Sequence, residues 1–521
     1  MRTQYATIER GLKETIRGEC FFDATTRETY STASSWYKIV PVAVIFPQDI
    51  EDVQSVMRFC NENNIAVVPR GGGTGLAGQA IGFGVIVDFS QHMNRLLEIQ
   101  RDTAVVQPGL LLADLNDQLR SRDLMFPIDP ASSKQCTIGG MIATNAAGAH
   151  GVKYGATKDH VESLMVVLAN GELATIRQPF LESGLVYSRS YRDIYIRLRS
   201  LLSANRETIL RRFPKVLKNS SGYNLYDAVR SKDFDLRKIV VGSEGTLAAV
   251  VQATLHLTRP PGVRLGAAAY FADYKTAAEA VLRSSELMPS ALEILDSTYL
   301  ALGRELMPAA GHLLRPDAEA MLYIEFDGEL QQDVEEMLER FRIVSSEAGS
   351  SGFLQFSTDT QRKELWNLRE AVSERINCDK WKGKTSFVED VAVPLENLPG
   401  YITGLKEVLS HHQIPFCVYG HAGGGNIHCA TFVDLMNLGH YRRIDLVASE
   451  VADLAIALGG TLSGEHGDGF VRTPFLERLY GPEIYGLFKE VKHAFDPTGI
   501  LNPGKIIGKQ NTSILHDLSI S

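Results

Sequence analysis

A chain of 521 residues, 44% hydrophobic and 22% charged, is ordinary for a globular protein. It has length for about three domains or two large ones, so it can bury sizeable cores without disulfide or metal staples. Its 53 Lys and Arg against 62 Asp and Glu leave a net charge of −9, the wrong sign for holding nucleic acid by its phosphates, and its six cysteines, at 20, 60, 136, 378, 417 and 429, form no Cys-x-x-Cys pair, which argues against a zinc ribbon, an all-cysteine iron–sulfur site or a disulfide scaffold.

In chain order, residues 1–38 read as an amphipathic helix and a loop. The N-terminus is charged throughout and lacks the apolar centre of a secretory signal, and the longest apolar run, Ile39 to Phe46, is too short to cross a bilayer. The expected location is the cytoplasm, with peripheral attachment at the inner membrane face as the alternative. A strand is expected at 42–46, then a helix capped by Asp49, in which Ile50, Val53, Val56, Met57 and Cys60 recur at helical spacing. A strand at 65–68 runs into Gly71-Gly72-Gly73-Thr74-Gly75. Strands at 85–89 and 103–107 and a helix at 111–119 continue the alternation. Asn170-Gly171 marks a hairpin between 161–169 and 172–176. Strands at 238–241 and 247–257 close this half, and Pro260-Pro261 breaks the pattern. Beyond it, strands are expected at 264–271, 291–295, 321–326, 353–357, 386–393, 415–419 and 427–432, with helices at 275–287, 331–347, 361–377, 396–410 and 440–458. A last helix follows Tyr480, and after it come Phe495-Asp496-Pro497-Thr498-Gly499 and Leu501-Asn502-Pro503-Gly504-Lys505. The fold class is α+β, divided at 1–38, 39–260, 261–480 and 481–521.

Gly73-x-Gly75-x-x-Gly78 matches a dinucleotide fingerprint, but only Gln79 to Gly84 separates it from the next strand. No crossover helix fits there, so this is no Rossmann site. The absence of Gly-Lys-Ser/Thr excludes a nucleotide-triphosphate loop. A run of backbone N–H groups remains, which can grip a diphosphate without a helix. Two further small-residue stretches, Cys136 to Gly148 and Gly242 to Leu247, let backbone approach a flat ligand closely.

Together, Val68 to Gly75, Ile138 to Gly148, Gly242 to Leu247 and Phe495 to Lys505 resemble the FAD-linked oxidases of the vanillyl-alcohol-oxidase type, and within them the flavin dehydrogenases of D-2-hydroxy acids such as D-lactate, D-2-hydroxyglutarate and glycolate. The resemblance spans about residues 40–507. It implies a two-part FAD-binding domain, formed by the first half and the C-terminal segment, with an inserted α/β substrate-cap domain. Arg70, Gly71, Gly72, Gly73, Thr74, Gly75, Gly78 and Gln79 would bind the diphosphate. Asp129, Pro130, Ser132, Gly139, Gly140, Thr144, Asn145 and Gly148 would line the adenine and ribityl parts. Glu244, Gly245 and Thr246 would complete the site, with Asn502 near the ring. Some relatives tether FAD through a histidine where this chain has Thr74, so the cofactor is expected to be non-covalent. His150 reads as an ordinary loop histidine.

Gly420-His421-Ala422-Gly423-Gly424-Gly425-Asn426-Ile427-His428 joins two expected strands by a turn that can fold the imidazoles together, and Ser463-Gly464-Glu465-His466-Gly467-Asp468 follows. Two His and a Glu suit zinc or manganese with an open position, although spacing alone leaves a metal site and scattered loop histidines equally open. The resemblance assigns His421, His428 and Glu465 as metal ligands, His466 as the catalytic base and Asn426 as a substrate contact. Relatives often carry Asp where this chain has Gly424. Trp366, Arg369 and Ser373 share one helical face. An exposed arginine is the usual reading of such a pattern. The run Leu365-Trp366-Asn367-Leu368-Arg369-Glu370 resembles the family's substrate helix, however, which makes Arg369, with Ser373, a carboxylate anchor and Arg472 a second anion contact. Dicarboxylate-oxidising relatives add a lysine near Val388, and here the nearby lysine is Lys384, so D-lactate is the first choice of substrate.

The resemblance therefore implies FAD, a divalent metal, a small 2-hydroxy acid and an electron acceptor, which would be a quinone, a carrier flavoprotein or an iron–sulfur partner. Some relatives continue into a cysteine-rich iron–sulfur segment, so a place within a longer protein is also open. An alcohol oxidase on the same fold and a flavin-carrying subunit without turnover are the rival functions.

Overall fold

The computed structural model describes residues 2–178, 188–356, 358–376, 384–385, 387–433 and 438–515. The β-branched run Ala43–Phe46 is buried along its whole length and pairs in parallel with Val85–Asp88, which pairs in parallel with Val67–Arg70. Glu19–Phe21 adds an antiparallel edge. The helix Ile50–Glu62 is capped by Asp49 and buries Val53, Val56, Met57 and Cys60 against this sheet. Residues 71–84 contain no helix, as the rejection of a Rossmann site requires.

A second sheet is antiparallel throughout, in the order Leu96–Gln100, Thr103–Val106, Ala249–His256, Val161–Val167, Leu173–Arg177. The hairpin turns at Gly171, whose φ is +79°. The strand expected at 238–241 is instead the short helix Arg237–Val240. Asp235 accepts a hydrogen bond from the Arg237 N–H at 3.1 Å and starts the turn. A four-residue apolar run cannot by itself distinguish the two states. The helix Arg189–Ala204 was not anticipated, although Tyr191, Ile194, Tyr195, Leu198 and Leu202 mark its buried face. Its core also holds Leu476, Tyr480, Ile484, Phe488 and Val491. The final helix Leu476–Phe495, kinked at Gly481 ahead of Pro482, thus packs into the first half, and Val67 pairs with Leu501 just beyond it.

Between these parts lies an eight-stranded sheet, every pairing of which is antiparallel. Its central order is Gly352–Gln355, Val263–Phe271, Ala320–Gly328, Ala291–Asp296, Phe416–Gly420, Asn426–Phe432. The period of two divides each strand between two cores. Ala267, Ala269 and Phe271 face the helices Tyr274–Ser285, Gln331–Glu347, Leu398–His411 and Leu438–Ala457. Ala268 and Tyr270 face Ser297–Leu306 and Asp359–Ile376. The unexpected helix Ser297–Leu306 starts where the Asp296 carboxylate accepts from the Tyr299 N–H at 2.8 Å. The strand expected at 386–393 is reduced to Lys384–Thr385 and Val391–Ala392, because Asp390 adopts φ +79° and turns the chain.

Two seams join this cap to the first half. Along one, Ser220 N–H donates to the Ser463 carbonyl (2.8 Å), Ser463 N–H to Ser221 Oγ (2.9 Å) and Gly222 N–H to Asp468 Oδ2 (2.6 Å). Along the other, His150 sits in a turn, as expected, but is buried. Its Nδ1 lies 2.6 Å from Asp129 Oδ2 and its Nε2 2.9 Å from Glu325 Oε2. Burial opposes charge on the ring, yet Asp129 and Glu325 overcome it and hold the pKa up to about 9.

A histidine raised in this way stabilises the fold fully below its unfolded pKa of about 6.5 and loses that contribution as pH rises through about 9. Denaturant titrations between pH 6 and pH 10 should therefore show a loss on the order of 3 kcal/mol that His150→Gln removes. A pH dependence identical in the variant would mean the ring is not charged in the fold. Separately, Phe488 is fully buried, and a Cβ on Gly222 would come within 2.5 Å of its ring. Phe488→Ala should cost about 3–5 kcal/mol in denaturant unfolding, and a loss below about 1 kcal/mol would count against the C-terminal helix as part of that core.

Candidate functional site

The glycine loop lies flush against a neighbouring turn. A Cβ on Gly71 would fall 2.2 Å from Thr137 Oγ1, and one on Gly72 2.2 Å from the Gln135 carbonyl. Gly73 carries φ +68°, which lets successive N–H groups face one concavity. The N–H groups of Gly72 through Leu76 donate to no acceptor among the described residues. They border a cavity of about 650 Å³. Small residues of the second stretch, Gly140, Ala143, Ala146 and Ala147, form its floor. At the far end it is lined by Arg369, Glu389, Tyr419, His421, His428, Glu465 and His466. One continuous space thus joins the phosphate-competent loop to the imidazole cluster.

The cluster is built by the turn between Phe416–Gly420 and Asn426–Phe432. Gly420 at φ +138° and Gly425 at φ +66° make the reversal, and a Cβ on Gly425 would strike the Val393 carbonyl at 2.1 Å. This brings the His421 and His428 rings to 4.9 Å, with His466 stacked 5.1 Å from His428. Their Nε2 atoms converge on Glu465 Oε1 at 3.0, 3.4 and 3.8 Å. Their Nδ1 atoms face other carboxylates: Glu293 at 2.6 Å for His421, and Glu389 at 3.1 Å for His428 and 2.9 Å for His466. Such outer carboxylates fix ring orientation and leave Nε2 to ligate.

Burial raises the cost of charge on Glu389 and Glu465, but the His466 and His428 rings hold Glu389, and Lys218 with the His421 and His428 rings holds Glu465, well below the usual carboxylate range. Against the opposing effect of burial, the same acids push His428 up to about 10, and Glu389 with Asp390 raises His466. An arrangement that holds protons on these nitrogens has the charge and donor set to hold a divalent cation instead. Asp390 also lies within 4.8 Å of His428, Glu465 and His466 as a possible fourth donor. Its oxygens, however, already accept from Ser463 Oγ (2.6 Å), His466 N (2.8 Å) and Asn426 Nδ2 (3.0 Å), so it serves the backbone. Glu465 Oε2 binds Lys218 at 2.8 Å.

Arg369 lines the cavity with its Nη2 2.8 Å from Glu293 and its buried Nε without a partner. That leaves a donor for an incoming carboxylate.

Of the residues expected at the cofactor, Gly71 to Gly75, Gln79, Pro130, Ser132, Gly140, Thr144 and Glu244 border the cavity. Others do not line it. The Arg70 guanidinium is occupied by the carbonyls of Thr32 (3.0 Å), Ala80 (3.3 Å) and Tyr30 (3.4 Å) and braces the loop from behind. Asp129 is committed to His150. Asn145 caps its helix with φ +53°, and Thr246 Oγ1 bonds the Ser243 carbonyl. Gly78, Gly139, Gly148 and Gly245 are pressed against Phe470, Pro108, Asp129 and Pro69 and serve close packing. Asn502 ties the carbonyls of Gln79 (3.0 Å) and Glu244 (2.7 Å) together. At the substrate end, Asn426 is fully buried on Asp390, and Arg472 donates to the carbonyls of Gly467 and Glu389. Both are therefore braces and not contacts with the cavity. The Ser373 side chain and the side chain of Lys384 lie outside the described residues. Val388 is buried.

Sequence reasoning passed over Lys218, Glu293, Glu389 and Tyr419. Acids inside the apolar runs Ala291–Asp296 and Phe387 to Val393 were a legible signal, since a carboxylate in a buried strand requires a partner.

The sequence profile described as "FAD binding domain" matches residues 41–177, and that described as "FAD linked oxidases, C-terminal domain" matches residues 261–506. The chain is 31% identical over 482 residues to the glycolate oxidase subunit GlcD of Bacillus subtilis, covering 92% of this chain and 91% of that one. It is 30% identical over 495 residues to a D-lactate dehydrogenase of Anaerostipes hadrus, covering 92% of each. It is also 32% identical to a D-2-hydroxyglutarate dehydrogenase of Pantoea ananatis over 95% of this chain, but spans only 51% of that relative. Among solved structures, a 4-ethylphenol oxidase from Gulosibacter chungangensis superposes with a TM-score of 0.71 at 19% identity, covering 98% of both chains. No helix among the described residues is long and apolar enough to cross a membrane. With a glycolate oxidase subunit matched at this identity over nearly its full length, and with the FAD-binding and C-terminal profiles in order along it, the chain belongs to the FAD-linked oxidases.

Proposed function

We propose that this protein is an FAD-dependent dehydrogenase that oxidises a D-2-hydroxy acid, D-lactate first among them, to the 2-oxo acid. The observation that carries the reading is the single cavity running from the unpartnered N–H groups of the glycine loop to the buried imidazoles. The relatives named for glycolate, D-lactate and D-2-hydroxyglutarate point to the same substrate class.

FAD would be held non-covalently by Gly71 to Gly75, Gln79 and the small-residue floor, and when bound it supplies the acceptor for the substrate hydride. A zinc or manganese ion would be held by His421, His428 and Glu465, where its chemistry is that of a Lewis acid towards a hydroxyl. Arg369 binds the substrate carboxylate through the guanidinium donors that Glu293 leaves open. His466 is the partly open ring of the cluster, with its side chain 26% exposed. Its Nδ1 is held by Glu389, so Nε2 takes the hydroxyl proton, a contribution of about 10²- to 10⁴-fold. Glu389 then stabilises the imidazolium in the manner of the acid in a catalytic triad. A buried Val388 where dicarboxylate enzymes would need a cation supports a monocarboxylate. A separate acceptor, a quinone, carrier flavoprotein or iron–sulfur partner, would take the electrons.

Anaerobic addition of D-lactate to the purified holoprotein should bleach the flavin absorbance, and a chelator should suppress bleaching. His466→Gln should retain FAD and slow reduction by at least about 10²-fold. Gly72→Val should leave a folded chain that no longer retains FAD. If D-lactate, glycolate and D-2-hydroxyglutarate all leave the metal-supplied flavin oxidised, the dehydrogenase reading gives way to that of a flavin-carrying subunit.

A further inference from the structure

We propose that His150 is a positioning residue for the reaction: by clamping Glu325 of the cap to Asp129 of the first half, it sets the cap-bound substrate at its distance from the flavin. The inference rests on the hydroxy-acid dehydrogenase reading and adds a residue that does not line the cavity.

Glu325 lies fully buried on the strand Ala320–Gly328. One of its oxygens, Oε1, accepts from Trp366 Nε1 at 2.6 Å and from Arg362 Nη1 at 3.0 Å. Both donors sit on the helix Asp359–Ile376, which also carries Arg369 one turn beyond Trp366. The other oxygen, Oε2, takes His150 Nε2 at 2.9 Å. On the opposite side of the ring, Nδ1 is fastened to Asp129 at 2.6 Å, and the His150 N–H donates to the same carboxylate at 3.2 Å. Asp129 directly precedes Pro130 and Ser132 in the cavity wall. A continuous chain of charged hydrogen bonds thus runs from the cofactor wall through Asp129, His150, Glu325 and Trp366 to the helix bearing the carboxylate anchor.

Both N–H groups of the ring are spent, each on a carboxylate from a different half of the molecule. That is how a linker behaves, whereas a general base keeps one nitrogen free. The neighbouring contacts do not duplicate it. Tyr154 and Lys153 bind Asp327, two residues along the same strand, and Asp327 has no bond to the anchor helix among the described residues. Arg369, His466 and the metal-site imidazoles all belong to the cap. Releasing the clamp therefore leaves substrate binding to the cap intact and alters only the approach of the substrate to the flavin, where about 1 Å of misplacement costs on the order of 10²-fold.

The test uses FAD-loaded full-length protein with anaerobic stopped-flow reduction by D-lactate, glycolate and D-2-hydroxyglutarate, together with hydrogen exchange across residues 359–376. His150→Gln should keep wild-type FAD stoichiometry and a half-saturating substrate concentration within about threefold. Its limiting rate of flavin reduction should fall by at least about tenfold, and the anchor-helix amides should exchange at least about tenfold faster. Asp129→Asn, at a partly exposed position, should move both quantities in the same direction by less, and it carries the comparison if His150→Gln does not fold. Unchanged limiting rate and exchange would overturn the proposal. So would a fall in FAD content that alone accounts for the lost rate. If the wild-type flavin is reduced by none of the three acids, the dehydrogenase reading falls, and the exchange data decide the clamp by themselves: faster exchange supports it and unchanged exchange rejects it.

Discussion

A carboxylate removed from water must be met by cations or donors, and much of this molecule is organised around meeting that demand. Glu465 is the centre of it. One oxygen faces three imidazole nitrogens and the other an ammonium group from a segment more than 240 residues earlier. Glu293, Glu389 and Glu325 repeat the arrangement with His421 and Arg369, with His428 and His466, and with His150 and Arg362. None of these acids is satisfied by its own element alone. Each therefore pulls separate segments into register, and the cap seats on the first half partly because the pairings are not complete until it does.

The two ends of the cavity are complementary in kind. At one end, backbone N–H groups on a loop of glycines present positive potential without side chains, which suits a large anionic cofactor approaching closely. At the other, a buried cluster of imidazoles, carboxylates and an arginine presents its charges through side chains. The bracing residues divide in the same way. Arg70 and Asn502 hold backbone carbonyls so that the loop keeps its shape, whereas Asn426, Asp390 and Arg472 hold the segments that carry Glu389 and His466.

The strands of the three sheets were largely readable because each must satisfy a period of two or a continuous apolar run, and the helix Gln331–Glu347 was readable end to end. Two of the failures share a cause. Arg237–Val240 and the broken strand around Asp390 depend on local turns made by side chains that the pattern does not weigh. The candidate site was legible where it is compact in sequence, as in the glycine loop and the His421 to His428 turn. It was illegible where a role depends on a remote partner. Arg70 and Asp129 occupy the expected loops yet turn away from the cavity, and His150 looked ordinary because Glu325 lies 175 residues away.

By itself, the sequence determined the α+β class, the glycine loop without a crossover helix and the two histidine motifs. These follow from local sterics and short-range periodicity, which are written into neighbouring residues. Only the tertiary structure decided which acids face which rings, which arginines are spent on carbonyls, and that Lys218 and His150 join one half to the other. Electrostatic partnership acts through space, and a buried charge takes its partner from whatever segment the fold brings within about 3 Å.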